Sequence, residues 1–230
     1  EFTLTGETKT ESAFSFDGKT LVTPFYTAEI NENGYISSLT DRENNRQIAN
    51  KAGEPLGTLW FGEDVPTCYD NWELEDDIFR KLAPVPADTK PVVVSEGAVE
   101  FRFRTEYKLG KESRAFVDTV FYSQSRMIGY EMKLDWHEKH RLLKAGFDVN
   151  VRSAFVKNEI QFGHIDRPTT RNTTLEKAKF EVCNHKWSDL SETNYGVALL
   201  NDCKYGMSCE RSDMRLTLHK GGIRPAAFSD

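Results

Sequence analysis

Val99-Glu-Phe-Arg-Phe-Arg-Thr-Glu-Tyr107 alternates apolar and charged side chains almost without a break. A period of two is that of a β-strand, in which successive side chains point to opposite faces. The spacing predicts Val99, Phe101, Phe103 and Tyr107 on one face, with Glu100, Arg102 and Arg104 on the other. Just beyond it, Ala115-Phe-Val-Asp-Thr-Val-Phe-Tyr122 and Met127-Ile-Gly-Tyr-Glu-Met-Lys-Leu-Asp-Trp136 are rich in β-branched and aromatic residues and read as strands too. The polar segments LGKES and SQSR between them read as turns, so the three runs make an antiparallel meander.

The same period recurs towards both ends. Leu21–Ile30 (LVTPFYTAEI) reads as a strand, with Pro24 near its start or on a sheet edge. Asn33-Gly34 then marks a hairpin turn into Tyr35–Leu39, because glycine tolerates positive φ. Gly196–Leu200 and Met214–His219 read as further strands. Short helical turns are expected over Leu190–Glu192 and Thr174–Phe180, and SDLSE (188–192) reads as a polar turn between two strands. Cys68–Lys90 and Gly163–Thr174 have the composition of loops. Linkers, repeats and low-complexity tracts are absent from the sequence. Many strands and few helices predict an all-β fold, a large antiparallel two-sheet β-sandwich forming one domain over residues 1–230.

Composition narrows the partners. The 230 residues carry a formal net charge of −6, and their Lys and Arg are scattered among acids. Phosphate binding needs clustered basic residues, so no nucleic-acid partner is expected. No apolar run approaches the ~18 residues that indicate a membrane span. The N-terminus has neither the basic head nor the apolar core of a signal peptide. It opens without Met, which reads as the boundary of an excised domain. Four scattered cysteines without a CxxC pattern point to reduced thiols of a cytoplasmic protein rather than a disulfide framework. Asn172-Thr173-Thr174 matches a glycosylation sequon, which matters only in a secretory compartment.

The chemistry-bearing residues cluster in two places. Tyr69-Asp-Asn-Trp-Glu73 combines aromatics, carboxylates and an amide, the set that recognises sugars through ring faces and hydroxyl hydrogen bonds. Residue types alone favour the plainer reading, that Tyr69 and Trp72 pin a loop to the core. Glu159–Pro168 (EIQFGHIDRP) places His164, Asp166 and Arg167 where a loop reaches a ligand, with an internal Asp–Arg ion pair as the alternative. Trp187, between Lys186 and Ser188, reads as a packing anchor beneath a loop. His137-Glu-Lys-His140 lacks the four-residue histidine spacing of a helical zinc site. No metal site is expected in this chain, and no nucleophile elbow, phosphate loop or dinucleotide fingerprint occurs.

Five blocks in order carry a resemblance: FYTAEINENGYISSLTDRENNRQI, YDNWELED, LDWHEKHRLLKAGFDVNV, NEIQFGHIDRPTTRNT and FEVCNHKWSDLSETNYGVALLNDCKYG. The chain resembles the C-terminal β region of glycoside hydrolase family 38, the α-mannosidases. It departs from the family pattern at Asn71, where a small residue is expected. The resemblance implies a sandwich similar to galactose mutarotase that supports an N-terminal catalytic barrel and helps wall its sugar pocket. It implies a parent enzyme that hydrolyses terminal non-reducing α-mannosides with retention. The nucleophilic Asp, the acid and a zinc ion would lie in that barrel, so this chain alone is expected to be inactive. By that analogy Asp70, Trp72, Glu73, His164, Asp166 and Arg167 are candidate substrate-binding residues, with no catalytic residue here. The family continues beyond Asp230, so a truncated sandwich with an open sheet edge and homo-oligomer formation are expected. The alternative is a stand-alone carbohydrate-binding module or a mutarotase-like domain, with His164 and Glu159 as its acid–base pair.

Overall fold

The computed structural model describes residues 12–222, and every strand pairing in it is antiparallel. Strands β1 (Ser15–Phe16), β2 (Thr20–Val22), β3 (Tyr26–Ile30), β4 (Ile36–Asp41) and β5 (Arg46–Gln47) form one sheet in that order. Next come β6 (Thr58–Glu63), the single turn α1 (Ile78–Lys81) and β7 (Leu82–Pro84). A second meander follows from β8 (Val92–Glu96), β9 (Glu100–Leu109), β10 (Ser113–Tyr122) and β11 (Ile128–Asp135). The chain continues through β12 (Arg141–Asp148), β13 (Phe155–Ile160), β14 (Gly163–Pro168), α2 (Thr174–Ala178) and β15 (Val182–Cys183). It ends with β16 (Trp187–Glu192), β17 (Tyr195–Leu200), β18 (Gly206–Glu210) and β19 (Asp213–Gly221). The remaining sheets run β15-β18-β19-β12-β6-β7 and β14-β13-β16-β17.

The all-β antiparallel fold is as the periodicity predicts, and the meander β9-β10-β11 forms where expected. Phe101, Phe103, Thr105, Tyr107 and Leu109 are all buried, so the inward face of β9 extends from Phe101 to Leu109. Val99 is an exception. It lies in the turn closed by Gly97 N–H donating to Glu100 O (3.0 Å), outside β9, and is exposed. Asn33-Gly34 makes the expected hairpin. Gly34 has φ +73°, and a Cβ there would stand 2.1 Å from Thr105 Oγ1, so only glycine fits. The turn is docked on the meander: Tyr107 OH donates to Asn33 O at 2.8 Å, and the Tyr35 and Tyr107 rings stack 5.4 Å apart.

Four readings are corrected. Leu21–Ile30 is two strands, because Pro24 sits in a turn whose following N–H groups bond the Thr23 hydroxyl. Leu190–Glu192, expected as a helical turn within a polar SDLSE turn, lies inside strand β16. Its inward positions are Ser188 and Leu190, and an inward serine hides the alternation. The Gly163–Thr174 loop begins as β14, paired along its length with β13. The Cys68–Lys90 loop contains α1 and β7. The last strand, β19, is flanked by β18 and β12, so among the described residues the edges of its sheet are β15 and β7.

Two cores meet at the six-stranded sheet. One gathers Leu21, Ile36, Phe101, Phe121, Val156, Leu190 and Met214 from all four sheets. The other packs Tyr107, Leu109 and Val117 of the meander on Leu59, Leu143 and Ala145. Tyr130 and Phe147 touch both. The opposite face of β12 is covered as well, with Leu142 packed among Trp60, Ile78 and Leu82. Lys144 shares that face and has no solvent exposure. Burial pushes its ammonium below the ordinary lysine range, and the carboxylate of Glu181, hydrogen-bonded to it, opposes that shift. Glu181 also accepts from the Thr217 hydroxyl.

Across the meander's outer face, Asp118 accepts from Arg104 and Arg102. The Arg104 bond leads in holding the Asp118 carboxyl below its ordinary value, against burial.

Two stability predictions follow from these pairs. Glu181→Ala strands a buried ammonium and should destabilise the fold by about 3 kcal/mol, whereas Lys144→Met combined with Glu181→Leu should recover most of the loss. Denaturant unfolding of the three variants checks both. Asp118→Asn should cost about 1–2 kcal/mol at pH 7. Because the folded carboxyl titrates below 3.8, that contribution is complete above 3.8 and lost as pH falls through the folded value. The difference from the parent, followed by unfolding between pH 7 and pH ~2, should therefore vanish only in acid.

Candidate functional site

Residues 64–77 leave β6 and return through α1, and several polar groups fasten the segment to the sheet and to itself. Asp64 is buried and pairs with Lys220 of β19. Burial pushes the Asp64 carboxyl up, and the Lys220 ammonium counters it. The Lys220 ammonium also donates to Glu73 O at 2.7 Å, tying the departure and return of the segment to one point. Asp64 N–H donates to His140 O at 2.9 Å. The Asp70 carboxylate faces His140 Nδ1 at 3.2 Å. His140 (φ +52°) and Tyr69 (φ +53°) both adopt the left-handed conformation around this contact.

Inside the segment, Trp72 and Glu73 N–H groups donate to Tyr69 O at 2.7 and 3.0 Å. Cys68 Sγ donates to Glu73 Oε2 at 3.2 Å, a bond that raises the thiol's pKa. Thr67 N–H donates to Glu75 Oε1 at 3.0 Å and holds that carboxyl low. A Cβ on Gly222 would lie 1.5 Å from Asn71 Oδ1, so the Asn71 amide rests against the bare backbone of that glycine. This accommodates the departure from the family pattern at position 71.

Fastened from below, the segment turns its aromatics outwards. Trp72 is 81% exposed and Tyr69 61%. The plainer sequence reading, in which these rings pin the loop, is reversed: carboxylates and the two left-handed residues pin it, and the indole projects. His140 and Lys220 are the site residues that sequence reasoning missed. His140 was visible only within HEKH, weighed as a metal motif, and Lys220 has no local signal because its partners are 147 and 156 residues away.

The second group of candidates is arranged differently. His164, Asp166 and Arg167 lie on β14, in a different sheet from β6 and β12. Strand alternation puts His164 and Asp166 on one face and Arg167 on the other. Asp166 lies 3.6 Å from Lys157 and 3.9 Å from His164, so the expected Asp–Arg pair is replaced by an Asp–Lys one. Arg167 lines a cavity of about 20 Å³ with Val156, Glu176 and Cys209, room for one water-sized group and too small for a sugar. Glu159 and His164 face each other across the ladder, but the Glu159 carboxylate already accepts Lys186 N–H at 2.6 Å. Trp187 is a residue of β16 rather than an anchor beneath a loop. Among the described residues no group of three or more His, Cys, Asp and Glu is placed to hold a metal ion. The four cysteines are free thiols.

Fold and segment together define an antiparallel β-sandwich that holds an exposed aromatic on a braced loop. The chain belongs to the glycosyl hydrolases family 38 C-terminal domain family, which matches residues 21–228. It is 37% identical over 169 residues to alpha-mannosidase 2C1 of Homo sapiens, covering 73% of this chain and 16% of that protein. It is 34% identical over 204 residues to alpha-mannosidase G of Dictyostelium discoideum, covering 87% and 19%. The alpha-mannosidase of Saccharomyces cerevisiae is 32% identical over 213 residues, covering 86% and 19%. The chain thus spans less than a fifth of the length of these relatives. Among solved structures, an alpha-mannosidase from Enterococcus faecalis V583 superposes with a TM-score of 0.78 over 96% of this chain and 28% of that one. At 11% identity that likeness shows the fold alone. No described helix is long and apolar enough to cross a membrane.

The bracing has a direct readout. Lys220→Ala and His140→Ala should raise amide hydrogen exchange across residues 64–77, with little change in β9 and β10. Exchange measured by mass spectrometry checks this, and uniform loosening of the whole sandwich would contradict it.

Proposed function

We propose that this chain is the non-catalytic β-sandwich of an α-mannosidase that hydrolyses terminal non-reducing α-mannosides with retention. Its task is to support an N-terminal catalytic barrel and to wall that barrel's sugar pocket with the segment carrying Asp70, Trp72 and Glu73. The observation that carries the second task is the braced loop. A large indole left 81% exposed on a segment fastened at both ends is a ready platform for the C–H face of a pyranose. Asp70 and Glu73 serve mainly as fasteners, and His140 and Lys220 act with them as positioning residues.

The membership of the family and the names of the relatives support the reading of the parent enzyme. The zinc ion belongs, on this reading, to the barrel, where it would supply Lewis-acid binding of sugar hydroxyls. The free thiols support a reducing, cytoplasmic setting. The packing of partly buried Tyr130 and Phe147 against both cores supports a single domain. Self-association of the parent belongs to the same proposal, supported by edge strand β8 with its exposed Val92 and Val94.

The test is kinetic. In the full-length enzyme, Trp72→Ala should lower kcat/KM for an aryl α-mannoside by about tenfold, the equivalent of ~1.4 kcal/mol. Asp70→Ala should give a smaller loss, through a loosened loop. Unchanged kinetics in both variants would remove the segment from the pocket.

A further inference from the structure

The outer face of the sheet β14-β13-β16-β17 arranges its side chains in rows. Lys157 pairs with Asp166 on one side and Asp189 on the other, and Asp189 pairs with Ala198. Two residues along, Glu159 pairs with His164 and Trp187 with Leu200. The register of β13 against β16 brings Glu159 and Trp187 opposite each other in the same row. Side chains in such neighbouring rows stand ~7 Å apart. The inward face of these strands is spent on the core through Val156, Asn158, Ser188 and Leu190, all buried. The outward face is only partly covered: Trp187, Asp189 and Glu159 are half-buried, Leu200 is 61% exposed, and Gly196 and Ala198 beside it are exposed and small.

The result is a patch centred on the half-buried indole of Trp187. The His164 ring lies 6.1 Å from that of Trp187, tilted by 44°. Asp166 and Lys157, both about half exposed, face each other at 3.6 Å on the row beside it. Asp189 accepts from the Ser191 hydroxyl at 2.7 Å, which fixes its orientation. The Ser191 hydroxyl packs over Gly196 across the ladder, where a Cβ would meet it at 2.1 Å. Three carboxylates, Glu159, Asp166 and Asp189, stand here against the single ammonium of Lys157, so the patch disfavours an anion and offers mainly acceptors to a ligand rich in hydroxyl donors. An indole face ringed by carboxylates, an ammonium and an imidazole is complementary to a ligand with one C–H face and a rim of hydroxyls.

We propose that this face is a carbohydrate-binding platform, in which Trp187 stacks under a neutral hexopyranose and Asp166, Lys157, Asp189 and His164 bond its hydroxyls. It is separate from the braced 64–77 segment in sheet and in residues. The choice of a mannoside as the probe rests on the function proposed above, but the readout below does not involve turnover.

The test is equilibrium binding of an α-linked mannotriose to the full-length protein, by titration calorimetry, with its reaction pocket saturated by a mannose-mimicking iminosugar. A binding event should persist under saturation. Trp187→Ala should weaken it about tenfold or more, and the surface double variant Lys157→Ala/Asp166→Ala should weaken it severalfold without touching the core. Trp72→Ala should leave it unchanged. No binding under saturation, or binding indifferent to both the Trp187 and the Lys157/Asp166 changes, overturns the platform. A loss only of oligomeric state in those variants assigns the face to protein contacts instead and equally overturns it. Failure of the Trp72 kinetic test would bear on the pocket wall alone.

Discussion

Strand β12 is buried on both faces, and the rest of the molecule is arranged to make that tolerable. Leu143 and Ala145 are covered by the meander β9-β10-β11, while Leu142 and Lys144 are covered by Trp60, α1 and the segment bearing Glu181. A lysine in that position is tolerated only because a carboxylate reaches it from a residue 37 positions away. The pairing therefore holds the segment that carries α2 and Glu181 over a sheet face that would otherwise be left with an unneutralised charge, before β15 joins the same sheet at its edge. Phe79 and Phe180 meet edge to face over the same spot, with Lys144 and Arg171 against the Phe79 ring. Apolar burial and charge neutralisation act here on one set of contacts.

The same sheet supplies the rigid base for residues 64–77. β6 launches the segment, β19 contributes Lys220 from the adjoining ladder, and the β11–β12 turn contributes His140. A loop fastened by buried or half-buried polar groups loses conformational entropy once, during folding, and not again when a ligand arrives. In that division of labour Asp64 and Asp70 fasten the acidic segment while Tyr69 and Trp72 project from it. The outer face of β14-β13-β16-β17 reaches a comparable end by another route. There the ladder itself sets the spacing, and an indole is held level with its polar neighbours by strand geometry.

Much of the fold was legible in the linear pattern. The period-two runs located β9, β10, β11, β17 and β19, Asn33-Gly34 located a hairpin, and the Thr173–Glu176 capping box lies behind the short helix expected near 174. Strands were missed where the inward residue is polar. Ser188 and Asn158 face the interior, where the Ser188 hydroxyl and the Asn158 Nδ2 donate to Met207 Sδ, and with an inward serine β16 read as a turn. β14 was missed because it is a sheet edge with mostly exposed side chains, and its composition is that of a loop. Of the candidate site, the residue types of YDNWE were legible, but their roles were inverted. Whether an aromatic points in or out depends on what its neighbours bond, and Asp64, Asp70 and Glu73 bond partners on β19 and in the β11–β12 turn.

What the sequence by itself determined is the class of architecture and the kind of chemistry on offer. Alternation dictates strands, the scarcity of long helical periods dictates an all-β antiparallel sandwich, and five ordered blocks carry the family. What only the tertiary structure decided is which side chains act together. Lys144 with Glu181, Lys220 with Asp64 and Glu73, His140 with Asp70, and Trp187 with His164 are pairings between strands or loops far apart in the chain. Each depends on sheet order and register, which no local run of residues encodes, because a strand's period says which face a side chain takes but not which strand will lie beside it.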